Sequence, residues 1–252
     1  MYMMDKTIET LAATVVFALA FIIGGRLHRP GDIRRRSLMS FSGGAAVSYI
    51  FIHLSPELEH ARDVFLEETA HLDIPFASYI IYLATMLSFV FFYGIEQFVM
   101  SEKKKKEISE SSDGEESTRV FWVHVGVFGA YAWLVSYLLV DSLETGPVPI
   151  GFYAAAMGLH FLSVGHGMHR EYKSLYDRIG AWVLASCAFA GWVTGMLVNL
   201  EKPVVAVLLG FVAGGVIVNT MIEELPREKE GRFVPFVIGA VVYTTLLLIV
   251  YR

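Results

Sequence analysis

Cysteine is almost missing from this chain, with Cys187 the only one. A lone cysteine inside an apolar stretch excludes an internal disulfide and a Cys-rich metal cluster, and it reads as a small packing residue. Charge is scarce as well, at 18% of residues against 55% hydrophobic, and the mean hydropathy is +0.53. That balance excludes a soluble core. No lysine lies within an apolar stretch, which argues against a retinal photoreceptor. No HExxH pattern and no adjacent nucleophile and base occur, so a hydrolase has little to stand on and the chain reads as a non-enzyme. The net charge of −5 comes largely from acidic residues outside the apolar stretches, and no basic patch interleaves with aromatics. Nucleic acid is therefore not an expected partner.

What the chain has instead is eight apolar stretches, approximately Ile8 to Leu27, Leu38 to Leu54, Ile74 to Met100, Val120 to Val140, Val148 to Met168, Ile179 to Leu200, Val204 to Ile222 and Phe233 to Val250. Each reaches or approaches the ~20 helical residues that span a hydrocarbon core. The connections after the first, third, fifth and seventh hold five, five, three and three Lys or Arg; only Lys6, Arg62, Lys202 and Arg252 fall elsewhere. The positive-inside rule then puts those four connections in the cytoplasm and both termini outside a cell membrane crossed eight times. Asp5 precedes the first stretch, Arg26 and Arg29 follow it, and no small-residue cleavage site is present, so it reads as a retained span.

Eight spans nearly use up 252 residues, which leaves a single polytopic domain over 1–252. Helices one to three occupy 1–100, a flexible cytoplasmic loop 101–119, helices four and five 120–169, and helices six to eight 178–252. The loop SEKKKKEISESSDGEESTR is too polar to fold and contains no His, so it reads as a tether whose lysines sit at anionic headgroups. The external segment SPELEHARDVFLEETAHLD has Ser55 as a cap, Pro56 at a first helical position, and Glu57 and Glu59 near the positive end of the dipole. A short helix with an acidic outer face is expected there.

Helix two reads FSGGAAVSYIFIHLSPEL and helix seven FVAGGVIVNTMIEELPRE. Each has a Gly pair, Gly43 and Gly44 or Gly214 and Gly215, followed by Pro56 or Pro226 with acidic residues beside it. The two helices run in opposite directions by the charge rule. Similar sequences in opposite directions are what an inverted repeat predicts, here helices one to three against six to eight around a central pair. The Gly pairs suit close helix contacts.

With these features the chain resembles the ZIP family of divalent-metal transporters. HLSPE in helix two is similar to the family's HLLPE, and AGGVIVNTMIEELPRE in helix seven to its AGG segment ending in LPEE. The resemblance implies an all-α integral membrane fold of eight transmembrane helices arranged 3+2+3 with an inverted repeat, and transport of a divalent cation, zinc or similar, as substrate. The family's HNxxDG and HExPHE patterns build a two-metal site in helices four and five. This chain departs from both: Trp133, Leu134 and Tyr137 stand for His, Asn and Asp, and His160 is kept while Phe161, Val164 and Gly165 replace Glu, His and Glu. Leu, Trp, Phe and Val cannot ligate a divalent ion, so the usual site is not present.

Ionisable residues within a membrane are costly and are functional candidates by default. His160 lies near mid-depth with Ser163 on the same face; it reads as a metal ligand, a proton relay, or a neutral imidazole bonded to a carbonyl or Tyr. Helix four offers it Ser136 and Tyr137. His166 and His169 point together on a different face, and with Glu223, Glu224 and the deeper Asn219 they make a candidate cytoplasmic metal site. His53 and Glu57, i and i+4 if the helix continues through Pro56, make a candidate entry site near Asp141. Ordinary interfacial ion pairs explain either group equally well. Three function classes stay open: a ZIP-like metal carrier, a non-transporting member of that fold with a converted site, and an integral-membrane metal hydrolase. The expected partners are the lipid bilayer, a divalent metal ion and a second copy of the chain as a homodimer.

Overall fold

The computed structural model describes residues 2–26, 33–109, 114–140, 150–224 and 232–250, and helix is the only regular secondary structure among them. Apolar chain in hydrocarbon must satisfy its own backbone, and the α-helix does so within one segment. Six helical stretches are long and apolar enough to cross a membrane: Lys6–Gly24, Ala77–Glu102, Thr118–Val140, Tyr176–Leu197, Lys202–Ile222 and Phe233–Val250. The protein is a multi-pass membrane protein.

The helices are α1 (Tyr2–Gly24), α2 (Ile33–Tyr49), α3 (Ser55–Glu68), α4 (Ile80–Ser109), α5 (Gly114–Val140), α6 (Ile150–Tyr172), α7 (Ala181–Leu197), α8 (Lys202–Asn219) and α9 (Phe233–Val250). Two of the eight expected spans, α2 and α6, are absent from the six apolar ones. Their composition explains this: α2 opens IRRRS and α6 closes SVGHGMHREY. Almost every residue of α6 from Met157 to Met168 is buried against protein, so its polar side chains do not meet lipid. By contrast α4 and α9 expose most of their apolar windows.

Ser55 does not cap a separate external helix. A π-helical turn, Ile50–Leu54, carries α2 directly into α3, and Leu54 and Ser55 keep helical dihedrals. The Ser55 N–H and hydroxyl both donate to the Ile50 carbonyl, the hydroxyl at 2.9 Å. The wider turn thus absorbs Pro56, which has no N–H to give. A second π turn, Thr220–Glu224, closes α8. A third, Tyr176–Gly180, opens α7.

The bundle is built from close pairs: α1 on α6 and α7, α5 on α7, α2 on α9, and α4 on α8, with α3 lying along α8. Glycine makes two of these pairings close. A Cβ on Gly44 would collide with the Phe236 carbonyl of α9, and one on Gly214 with the Thr85 carbonyl of α4. Gly215 meets rings instead, its missing Cβ falling 2.7 Å from Tyr131 and 3.1 Å from Phe92. At the end of α6, Lys173 takes a left-handed φ of 49° and its N–H bonds back to the His169 carbonyl at 2.7 Å. That C-terminal motif turns the chain into the π turn at Tyr176.

Candidate functional site

His53 sits on the first π turn and Glu57 one turn further on, because the helix runs unbroken through Pro56. Both line a cavity of about 60 Å³, whose remaining wall is mainly apolar and includes Tyr49, Leu138, Met157 and Val216. Asp141, expected beside them, lies outside the described residues. A much smaller cavity of about 10 Å³ reaches His160 and Thr220. Tyr49, Met157 and Val216 border both spaces.

His160 is buried, 2% exposed, and its Nε2 stands 3.4 Å from the Tyr131 hydroxyl on α5. The rings of Tyr131 and Phe161 pack around it. Of the helix-four residues expected to face it, Tyr137 has its hydroxyl bonded to another helix end. Tyr137 donates its hydroxyl to the Val198 carbonyl at 3.1 Å, and Trp133 donates its indole N–H to Thr194 at 3.2 Å. Ser136 is fully buried. Tyr131 is six residues before Tyr137, nearly two turns along the helix, and nothing in the spacing marks it as the one that meets His160.

His166 is buried in α6, while His169 at its end binds Asp177 through Nδ1 at 2.8 Å. Among the described residues Asp177 is an acid beside His169, delivered by the chain reversal at Lys173. Asn219 is buried, 2% exposed, and its Nδ2 has no hydrogen-bond partner among the described residues. The side chains of Glu223 and Glu224 lie outside the described residues. Among the described residues no three His, Cys, Asp or Glu side chains come together to hold a metal ion.

A polar cluster that the sequence did not flag joins three helices. His124 of α5 contacts Glu96 of α4 through Nε2 at 3.2 Å and the Tyr172 hydroxyl of α6 through Nδ1 at 3.0 Å. Glu96 is 8% exposed and His124 3%. Both sit in long apolar runs, and only their ionisable character inside a span could have singled them out.

No model of a known protein family matches the chain, and no curated protein matches it in sequence.

Chemically, the described residues offer a divalent ion one or two ligands at a time: His53 with Glu57, then His160 with phenol and hydroxyl neighbours. Resident zinc takes three or four protein ligands.

Proposed function

We propose that the protein is a ZIP-like carrier that passes a divalent cation, zinc or similar, between α2, α5, α6 and α8. The observation that carries this reading is the pairing of the helices. Exchanging α1 with α7, α2 with α8, α4 with α9 and α5 with α6 turns the α1–α6 contact into α7–α5 and the α2–α9 contact into α8–α4, and both are present. Along α2 and α8 the same exchange matches Gly44 with Gly214 and the π turn at 50–54 with that at 220–224, at one constant offset. An inverted repeat of three helices around a central pair accounts for this, with both termini outside and the polar segment 101–119 in the cytoplasm.

The cation enters beside Glu57 and His53, moves along the shared wall of Tyr49, Met157 and Val216, and meets His160. An inside-negative potential drives import by about 4.6 kcal/mol per 100 mV for two charges. Uptake of zinc into metal-free proteoliposomes tests the reading: the native chain accumulates the ion, and empty vesicles do not. A second reading, a non-transporting protein of the same architecture, is favoured by the Tyr131 hydroxyl that occupies the side of His160 a metal would use. Failure of the native chain to move zinc, cadmium or manganese selects it.

A further inference from the structure

The three-helix cluster of Glu96, His124 and Tyr172 has no part in the cation path. A buried carboxylate beside a neutral imidazole leaves a net negative charge in a region of low dielectric, which is costly unless it is offset. Aromatic rings lie along the cluster: Phe128 is 5.0 Å from His124 with Phe92 packed behind it, and Phe121 packs edge-on to Tyr172 at 5.1 Å. Tyr172 is the last residue of α6 and only half-buried, so its hydroxyl stands between the dry pair and the end of the bundle. Both ring nitrogens of His124 are thereby engaged, one toward the acid and one toward the outside.

We infer that Glu96, His124 and Tyr172 form a proton-transfer chain that loads one proton onto Glu96 from the end of the bundle where α6 stops. In the unloaded state the Tyr172 O–H donates to Nδ1, and Nε2–H donates to the Glu96 carboxylate. Loading moves the tyrosine proton to Nδ1 while a hydronium ion from the solvent returns one to the tyrosine oxygen and leaves as water, and the Nε2 proton passes to Glu96. The products are a carboxylic acid and a neutral imidazole with its proton on the other nitrogen. One proton is gained and no charge remains in the dry site. The two bonds reverse direction together, with Nδ1–H donating to the Tyr172 oxygen and the Glu96 O–H donating to Nε2.

Other charged or titratable residues lie on the same helices and on the elements that follow them. On the same helices these are Tyr93, Glu102, Arg119, Arg170 and Glu171. The π turn before α7 carries Asp177 and Arg178. They stay in place in the variants below and form a common background.

Infrared difference spectra after a rapid pH drop, taken on purified protein in metal-free lipid nanodiscs, test the inference. The native protein gains one carbonyl band of a protonated carboxylic acid, which Glu96→Gln lacks. Tyr172→Phe keeps its ring contacts and shows the band, but it forms at least about ten-fold more slowly because the hydroxyl relay is gone. If Glu96→Gln does not fold, Glu96→Asp supplies the assignment by moving the band. A band that survives Glu96→Gln, or fails to move in Glu96→Asp, overturns the chain, as does its absence from native protein. Slowing of less than ten-fold in Tyr172→Phe does so too. The measurement needs neither metal nor transport, so it stands or falls separately from the carrier.

Discussion

The Tyr131 hydroxyl on α5 and Nε2 of His160 on α6 face each other at 3.4 Å within the buried centre of the bundle. A cation reaching His160 must displace that hydroxyl or recruit it.

Zinc uptake by proteoliposomes is expected to fall at least about ten-fold in His160→Ala, the scale on which metal sites respond to losing a supporting group. Tyr131→Phe frees Nε2 and leaves uptake at or above the native rate. Native uptake by His160→Ala would remove this histidine from the path and leave the helix pairing untouched.

Replacing Gly44 or Gly214 by Leu drives a side chain into a backbone carbonyl of the neighbouring helix. Each substitution is expected to cost about 1–3 kcal/mol or more in unfolding from mixed micelles. Gly94→Ala and Gly126→Ala, where an added Cβ meets nothing within 4 Å, serve as tolerated controls.

Tyr176 is fully buried and its hydroxyl donates to the Phe21 carbonyl of α1 at 2.8 Å. Tyr176→Phe keeps the ring and loses the bond, for an expected cost of about 1 kcal/mol in the same assay. The exposed pair of Lys202 and Glu68, also at 2.8 Å, is expected to contribute less, so Lys202→Ala should change stability by under about 1 kcal/mol.

Segment 101–119 is not the unfolded tether its polarity suggests, since α4 runs on to Ser109 and α5 begins at Gly114; orientation is still expected to follow the positive charge, with this segment in the cytoplasm and both termini outside. In a Cys187→Ser background, a cysteine introduced at Ser111 should resist a membrane-impermeant thiol reagent added to intact cells and react after lysis. Labelling of intact cells reverses the orientation.

Helical spans and the small contact residues were legible because each is a local property, whereas the continuous run of α2 into α3 was not, since Ser55 and Pro56 read locally as a helix start. Hydropathy over some twenty residues sets a span, and Gly44 and Gly214 announce close approach by lacking a side chain. Spacing along one helix likewise placed His160 apart from His166 and His169. Six of the eight expected spans are long and apolar enough to cross a membrane; α2 and α6 carry more polar residues, and most of the middle of α6 is buried against other helices.

What the sequence by itself determined was the solvent of each segment, since transfer of apolar residues to hydrocarbon depends on composition and length alone. Which polar groups meet was decided only by the tertiary structure. His124 finds Glu96 and Tyr172 on two other helices, His169 finds Asp177 across a left-handed turn, and His160 finds Tyr131 and not Tyr137. Each meeting depends on the rotation and depth of one helix against another. Those are set by the interlocking of whole surfaces, including the glycine contacts, and a difference of one turn brings a different residue to face its partner.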